Sequence, residues 1–177
     1  MRVVITGAAS GIGLSVAELL AADGGAHQLL LADRDADGLA AAVAKIGAAA
    51  AICVVDLSDN DCGDVIVAAA IAHMGGIDAV VSNAGIIAAG ALVDLTPVDF
   101  DRIYAVNTKA NWALAKAAYP HLAASKGAFV ATASMSACAS MPLRMASVQG
   151  SAPKKPTRSL RSVGLRPASS MASARWR

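Results

Sequence analysis

The residues best placed to do chemistry lie at one kind of position, directly after short apolar runs. The first group is Thr6-Gly7-Ala8-Ala9-Ser10-Gly11-Ile12-Gly13. Glycines at this spacing allow a tight turn and close approach of the backbone to a phosphate. A helix starting there offers free N–H groups and a partial positive charge to a pyrophosphate. Gly7, Ser10, Gly11, Ile12 and Gly13 are therefore candidate anion-holding residues. Asp33 follows the second apolar run, 20 residues after Gly13. A carboxylate there can accept a hydrogen bond from an adenosine ribose and repel a 2′-phosphate. The Gly turn contains no basic residue, which favours NAD over NADP, although Arg34 beside Asp33 pulls the other way.

These residues need elements to hold them. Arg2–Thr6, Gln28–Ala32, Ala50–Val55, Ile77–Ser82 and Ala128–Ala133 read as five strands. The run at Ala50–Val55 is nearly continuous, as for a strand buried on both faces. Helical spacing fills the gaps. From Ile12 to Ala22, Ile12, Val16, Leu19 and Leu20 share one face. Asp35–Ile46 forms a helix ended by Gly47. Ser58 with Asp61 reads as a capping box opening a helix to about His73, and Thr96-Pro97-Val98-Asp99 opens a long helix to about Ala124. Strands alternating with helices predict α/β architecture, a doubly wound, Rossmann-like parallel sheet of about five strands.

Composition narrows the classes. The 177 residues suit one principal domain. Hydrophobic residues make up 56%, but 43 residues are Ala, which points to thin, closely packed helices. The longest strictly apolar stretch, Ile46 to Val55, is too short to span a bilayer, and no signal peptide is visible, so the expectation is a cytoplasmic protein. Cys53, Cys62 and Cys138 lack a CxxC spacing and read as buried free thiols of a reducing compartment. His27, His73 and His121 have no metal-ligand spacing, and no metal is expected.

The net charge of +2 hides a split. Residues 1–101 hold three Lys/Arg and all 13 Asp/Glu; residues 102–177 hold 12 Lys/Arg and no acid. The expected division is a nucleotide-binding domain over 1–140 and a basic, Ser/Pro-rich tail over 141–177, disordered or poorly packed. Such a tail could bind nucleic acid only without sequence specificity, and it carries no recognition motif.

Further motifs fall in order along the chain. Asp56-Leu57 ends the third strand, and Asn83-Ala84-Gly85 ends the fourth. Asn107 lies in Val106-Asn107-Thr108, Tyr119-Pro120-His121-Leu122 closes the long helix, and Ser134 follows the fifth strand. Together with the Thr-Gly-x-x-x-Gly-x-Gly turn, they resemble the short-chain dehydrogenase/reductase family over residues 1 to about 140. The resemblance implies an NAD(P)-dependent oxidoreductase moving a hydride between nicotinamide and a secondary alcohol or ketone. It implies that Asp56 and Leu57 contact the adenine end and that Asn83, Ala84 and Gly85 border the cofactor. Asn107 would hold a proton-relay water, and Ser134 would orient the substrate carbonyl. Full-length relatives are implied to be homo-oligomers.

The pattern then breaks. The family's general acid/base is a Tyr in Tyr-x-x-x-Lys, implied about 12–14 residues after Ser134. Ala146, Ser147 and Val148 stand there, and the only tyrosines are Tyr104 and Tyr119. The sixth and seventh strands are also missing, which leaves the fifth strand as an open sheet edge. The Arg, Ser and Pro enrichment from about 142–148 onward reads as a truncated or frameshifted version of a longer dehydrogenase. The alternative is a non-catalytic NAD-binding remnant.

Overall fold

The computed structural model describes residues 1–47, 50–88 and 92–134. Five parallel strands, β1 (Arg2–Thr6), β2 (Gln28–Asp33), β3 (Ala50–Val54), β4 (Ala79–Ser82) and β5 (Ala128–Ala131), form one sheet in the order β3-β2-β1-β4-β5. The helices are α1 (Gly11–Ala22), α2 (Ala36–Ile46), α3 (Cys62–Met74), α4 (Pro97–Tyr104) and α5 (Ala110–Ser125). The order reverses direction at β1 and β4, as in a doubly wound sheet. The expected α/β class is the one observed.

Two cores cover the two faces, because successive strand residues point to opposite sides. Val3, Ile5, Leu29 and Leu31 pack with Ala17 of α1 and with Leu39 and Ala42 of α2. Val4, Leu30 and Val80 pack with Ile66 and Ala70 of α3 and with Ala110, Leu114 and Ala118 of α5. The alanines let α3 and α5 approach closely. A Cβ added at Gly63 would lie 2.6 Å from the Ala113 carbonyl carbon.

Local sequence explains most boundaries and corrects some expectations. Helix α4 begins at the anticipated capping box: Thr96 Oγ1 accepts from Asp99 N–H at 3.2 Å, and Thr96 N–H donates to Asp99 Oδ2 at 2.9 Å. The Ser58–Asp61 box does not form. Ser58 instead donates both its N–H and its hydroxyl to Asp56 Oδ1, each at 2.8 Å, and α3 starts four residues later. The inward face of α1 is also different. Gly13 and Ala17 are buried, while Ile12 and Leu19 are exposed, because the first turn must lie close against Gly7. Strand β3 is not covered on both faces. It is an edge strand, and Ile52 and Val54 are about half exposed.

The long helix expected after Thr96 is continuous but not uniform. A π turn, Ala105–Lys109, separates α4 from α5, with Ala110 N–H reaching back to Ala105 O. Strand β5 is the opposite edge, with Val130 56% exposed. The expected tail at 141–177, Cys138 and the Tyr-x-x-x-Lys position lie outside the described residues.

Candidate active site

The carboxyl ends of all five strands open into one cleft of about 430 Å³, within the usual range for small-ligand sites. Its floor is the Gly-rich turn. Gly7 (φ 68°) and Gly11 (φ 56°) occupy the left-handed region, which costs other residues strain. A Cβ at Gly13 would come within 2.2 Å of Gly7 O, so Gly13 sits beneath the cleft rather than on its wall. A Cβ at Gly11 would meet nothing within 4 Å. Ser10 precedes α1 with extended backbone, and its hydroxyl makes no capping bond. The first amides of α1 have no intrahelical acceptor. Open space and free donors therefore meet at one helix N-terminus, and this fits a pyrophosphate.

On the β2/β3 side, Asp33 is held from two directions. Its Oδ2 accepts from Ala9 N–H at 3.2 Å, and its Oδ1 from Asp35 N–H at 3.1 Å. Asp56 is held by Ser58. The Ser58 N–H and hydroxyl lower its pKa below the usual carboxylate range, with smaller attraction from Arg34 and Arg102. Leu57 and the exposed Arg34 complete this side.

On the β4/β5 side, buried Thr6 carries the wall. Its Oγ1 accepts from Asn83 N–H at 3.0 Å and from Ala84 N–H at 3.1 Å. Asn83 Oδ1 accepts from the Thr132 hydroxyl at 3.1 Å. Asn107 lies in the π turn, outside the wall but bonded to it. Its Oδ1 accepts from Ile86 N–H at 2.8 Å, and its Nδ2 donates to Ile86 O at 2.9 Å.

The cleft thus brings together Gly7, Ser10, Gly11, Ile12, Asp33, Arg34, Asp56, Leu57, Asn83, Ala84 and Gly85. Ser134 is exposed on the segment leaving β5, and among the described residues it is not on the cleft wall. Val55, Ile86, Arg102, Val106 and Thr132 line the cleft and were not singled out in the sequence. Thr132 had a signal, since it lies two residues before Ser134. Val106 had one too, directly before Asn107, whereas Arg102 had none, because only the turn of α4 into the π segment aims it there. Among the described residues, no group of three or more His, Cys, Asp or Glu could hold a metal. None of the described helices is long and apolar enough to cross a membrane.

A Gly turn at a sheet's switch point, with an acid ending the next strand, defines a dinucleotide-binding α/β domain. Residues 1–152 match the sequence profile of the family described as short chain dehydrogenase, and the chain belongs to that family. It is 33% identical over 142 residues to versicolorin reductase 1 of Aspergillus parasiticus, covering 76% of this chain and 52% of that protein. The fold superposes with TM-score 0.63 on a Brucella melitensis 3-ketoacyl-(acyl-carrier-protein) reductase complexed with NADH, at 33% identity, covering 67% and 49%. It superposes with TM-score 0.64 on a Burkholderia cenocepacia short chain dehydrogenase in complex with NADP, at 36% identity, covering 68% and 50%. The chain spans about half the length of the curated relatives it matches.

Proposed function

We propose that this chain carries the dinucleotide-holding half of an NAD(P)-dependent oxidoreductase that interconverts a secondary alcohol and a ketone. The observation that carries this reading is the single cleft shared by the Gly7–Gly13 turn, Asp33, and the wall at Asn83–Gly85. The α1 N-terminal amides at Gly11, Ile12 and Gly13, with Ser10, hold the pyrophosphate. Asp33 is already oriented by Ala9 and Asp35, and it accepts from the adenosine ribose. Asp56 and Leu57 border the adenine end, while Asn83, Ala84 and Gly85 form the inner wall. The nicotinamide, when bound, supplies or accepts the hydride. Neither Ser134 nor Asn107 lines the cleft, and it is family membership that assigns Ser134 to orient the substrate carbonyl and Asn107 to hold the water that passes a proton onward. The acid at Asp33 favours NAD over NADP. The buried thiols of Cys53 and Cys62 suit a reducing cytoplasm.

A second reading rests on the sequence itself. Without Tyr-x-x-x-Lys, the general acid/base is absent, a loss of about 10²–10⁴-fold in rate. The chain would then bind the dinucleotide without turnover. Titration of the full chain with NADH and NADPH, followed by assay over a series of secondary alcohols and ketones, separates these outcomes. Binding with turnover supports the oxidoreductase, binding alone supports the second reading, and no binding of either dinucleotide overturns both.

A further inference from the structure

We infer that Ser82 and Asn111 are positioning residues that brace the nicotinamide-side wall of the cleft. The inference rests on the dinucleotide reading above. Ser82 ends β4 and is 6% exposed. Its hydroxyl donates to Asn111 Oδ1 on α5, and Asn111 Nδ2 donates to Asn107 O at 2.8 Å. Asn107 in turn clamps both backbone groups of Ile86. The path therefore closes on itself, from the strand end through the helix and π turn to the loop, and back along residues 86 to 82. The segment enclosed by this ring, Asn83-Ala84-Gly85, is the cleft wall.

Packing alone does not require this arrangement. An apolar pair would fill the space between β4 and α5 without needing satisfied polar atoms. A fully satisfied polar chain instead fixes one geometry. Here it fixes the π turn against the loop, with Asn107 O and the Asn107 side chain both engaged. The wall it braces is on the β4/β5 side of the Gly turn, whereas Asp33 and Asp56 follow β2 and β3 on the other side. A dinucleotide laid across the switch point puts adenosine on the β2/β3 side and nicotinamide on the braced side.

The test uses the full chain with Asn111→Leu, Ser82→Ala and Ser82→Thr. Amide exchange at Ile86 should accelerate at least about tenfold in the first two, while Val80 in the sheet stays unchanged. The NADH Kd should rise about five- to tenfold while the AMP Kd moves less than about twofold. Ser82→Thr, which keeps the hydroxyl, should restore both readouts. Ser82→Ala is the smaller change, and it decides the matter if Asn111→Leu does not fold. Unchanged protection at Ile86, equal acceleration at Ile86 and Val80, or equal weakening of NADH and AMP each overturn the inference. If the unsubstituted chain binds neither nucleotide, the proposed function fails, and exchange at Ile86 still decides whether the brace exists.

Discussion

The two rims of the cleft hold their polar groups by different means. On the β2/β3 rim, each carboxylate is fixed largely by its own neighbourhood. Asp33 takes Asp35 N–H and Asp56 takes Ser58, both two residues on. Only the Ala9 bond to Asp33 comes from elsewhere. On the β4/β5 rim, nearly every bond crosses between elements. Thr6 holds Asn83 and Ala84, Thr132 reaches Asn83, and Asn107 clamps Ile86. The first rim is built mostly by short turns within a few residues of sequence. The second exists only when β1, β4 and the π turn are assembled. Stability and ligand affinity should therefore be coupled on the second rim and separable on the first.

The floor shared by both rims should give the largest effect. Gly13→Val puts a branched side chain against Gly7 O, where even one Cβ would approach to 2.2 Å. We expect a loss of about 3 kcal/mol or more in urea unfolding, with NADH binding abolished. Unchanged stability would mean that α1 can shift away from the turn. Thr6→Val breaks the β4/β5 rim alone. It keeps the shape but leaves the Asn83 and Ala84 amides without their acceptor, at about 2 kcal/mol, and NADH affinity should fall with it. A stability loss without an affinity loss would remove the coupling claimed for this rim.

Asp33→Arg acts on the other rim. NADH affinity should drop about tenfold and NADPH affinity rise, with little change in unfolding midpoint. A change in stability as large as that of Thr6→Val would erase the contrast. The smallest effect belongs to the far end of the sheet. There, hydrogen bonds from the Arg2 side chain and its N–H lower the Asp78 pKa to about 2. The folded value is below the ordinary carboxylate pKa of about 3.9. The contribution is therefore complete above about pH 4 and lost as pH falls through about 2. Asp78→Asn should unfold more easily than the unsubstituted chain at pH 6, and the two should converge in acid. NADH affinity should not change.

The same contrast decides what could be read in the sequence. The Gly turn, Asp33 and the Thr96–Asp99 box were legible because their geometry depends on a few consecutive residues. The parallel α/β class followed from the alternation of strands and helices, while the order β3-β2-β1-β4-β5 came only with the structure. Ser58 misled because Asp56, two residues earlier, competes for its N–H and hydroxyl. Ile12 and Leu19 misled because the turn needs glycine and alanine against the sheet, which sends the larger side chains outward. Arg102 carried no signal, and Val106 and Ile86 only that of adjoining Asn107 and Gly85. Their place depends on bonds between residues about 20 apart and on a single π turn.

That π turn has an evolutionary corollary. It amounts to one residue more than a regular helix would hold between Tyr104 and Ala110. Deleting one residue between 105 and 109 would remove that extra residue and let the segment close as regular helix, with α5 in about its present phase. Ala110, Leu114, Ala118 and Leu122 would stay the inward stripe, while the bulge that carries Asn107 and its clamp on Ile86 would go. The fold should therefore survive such a deletion better than the cleft wall does. Descendants of this chain that keep the wall should keep the extra residue.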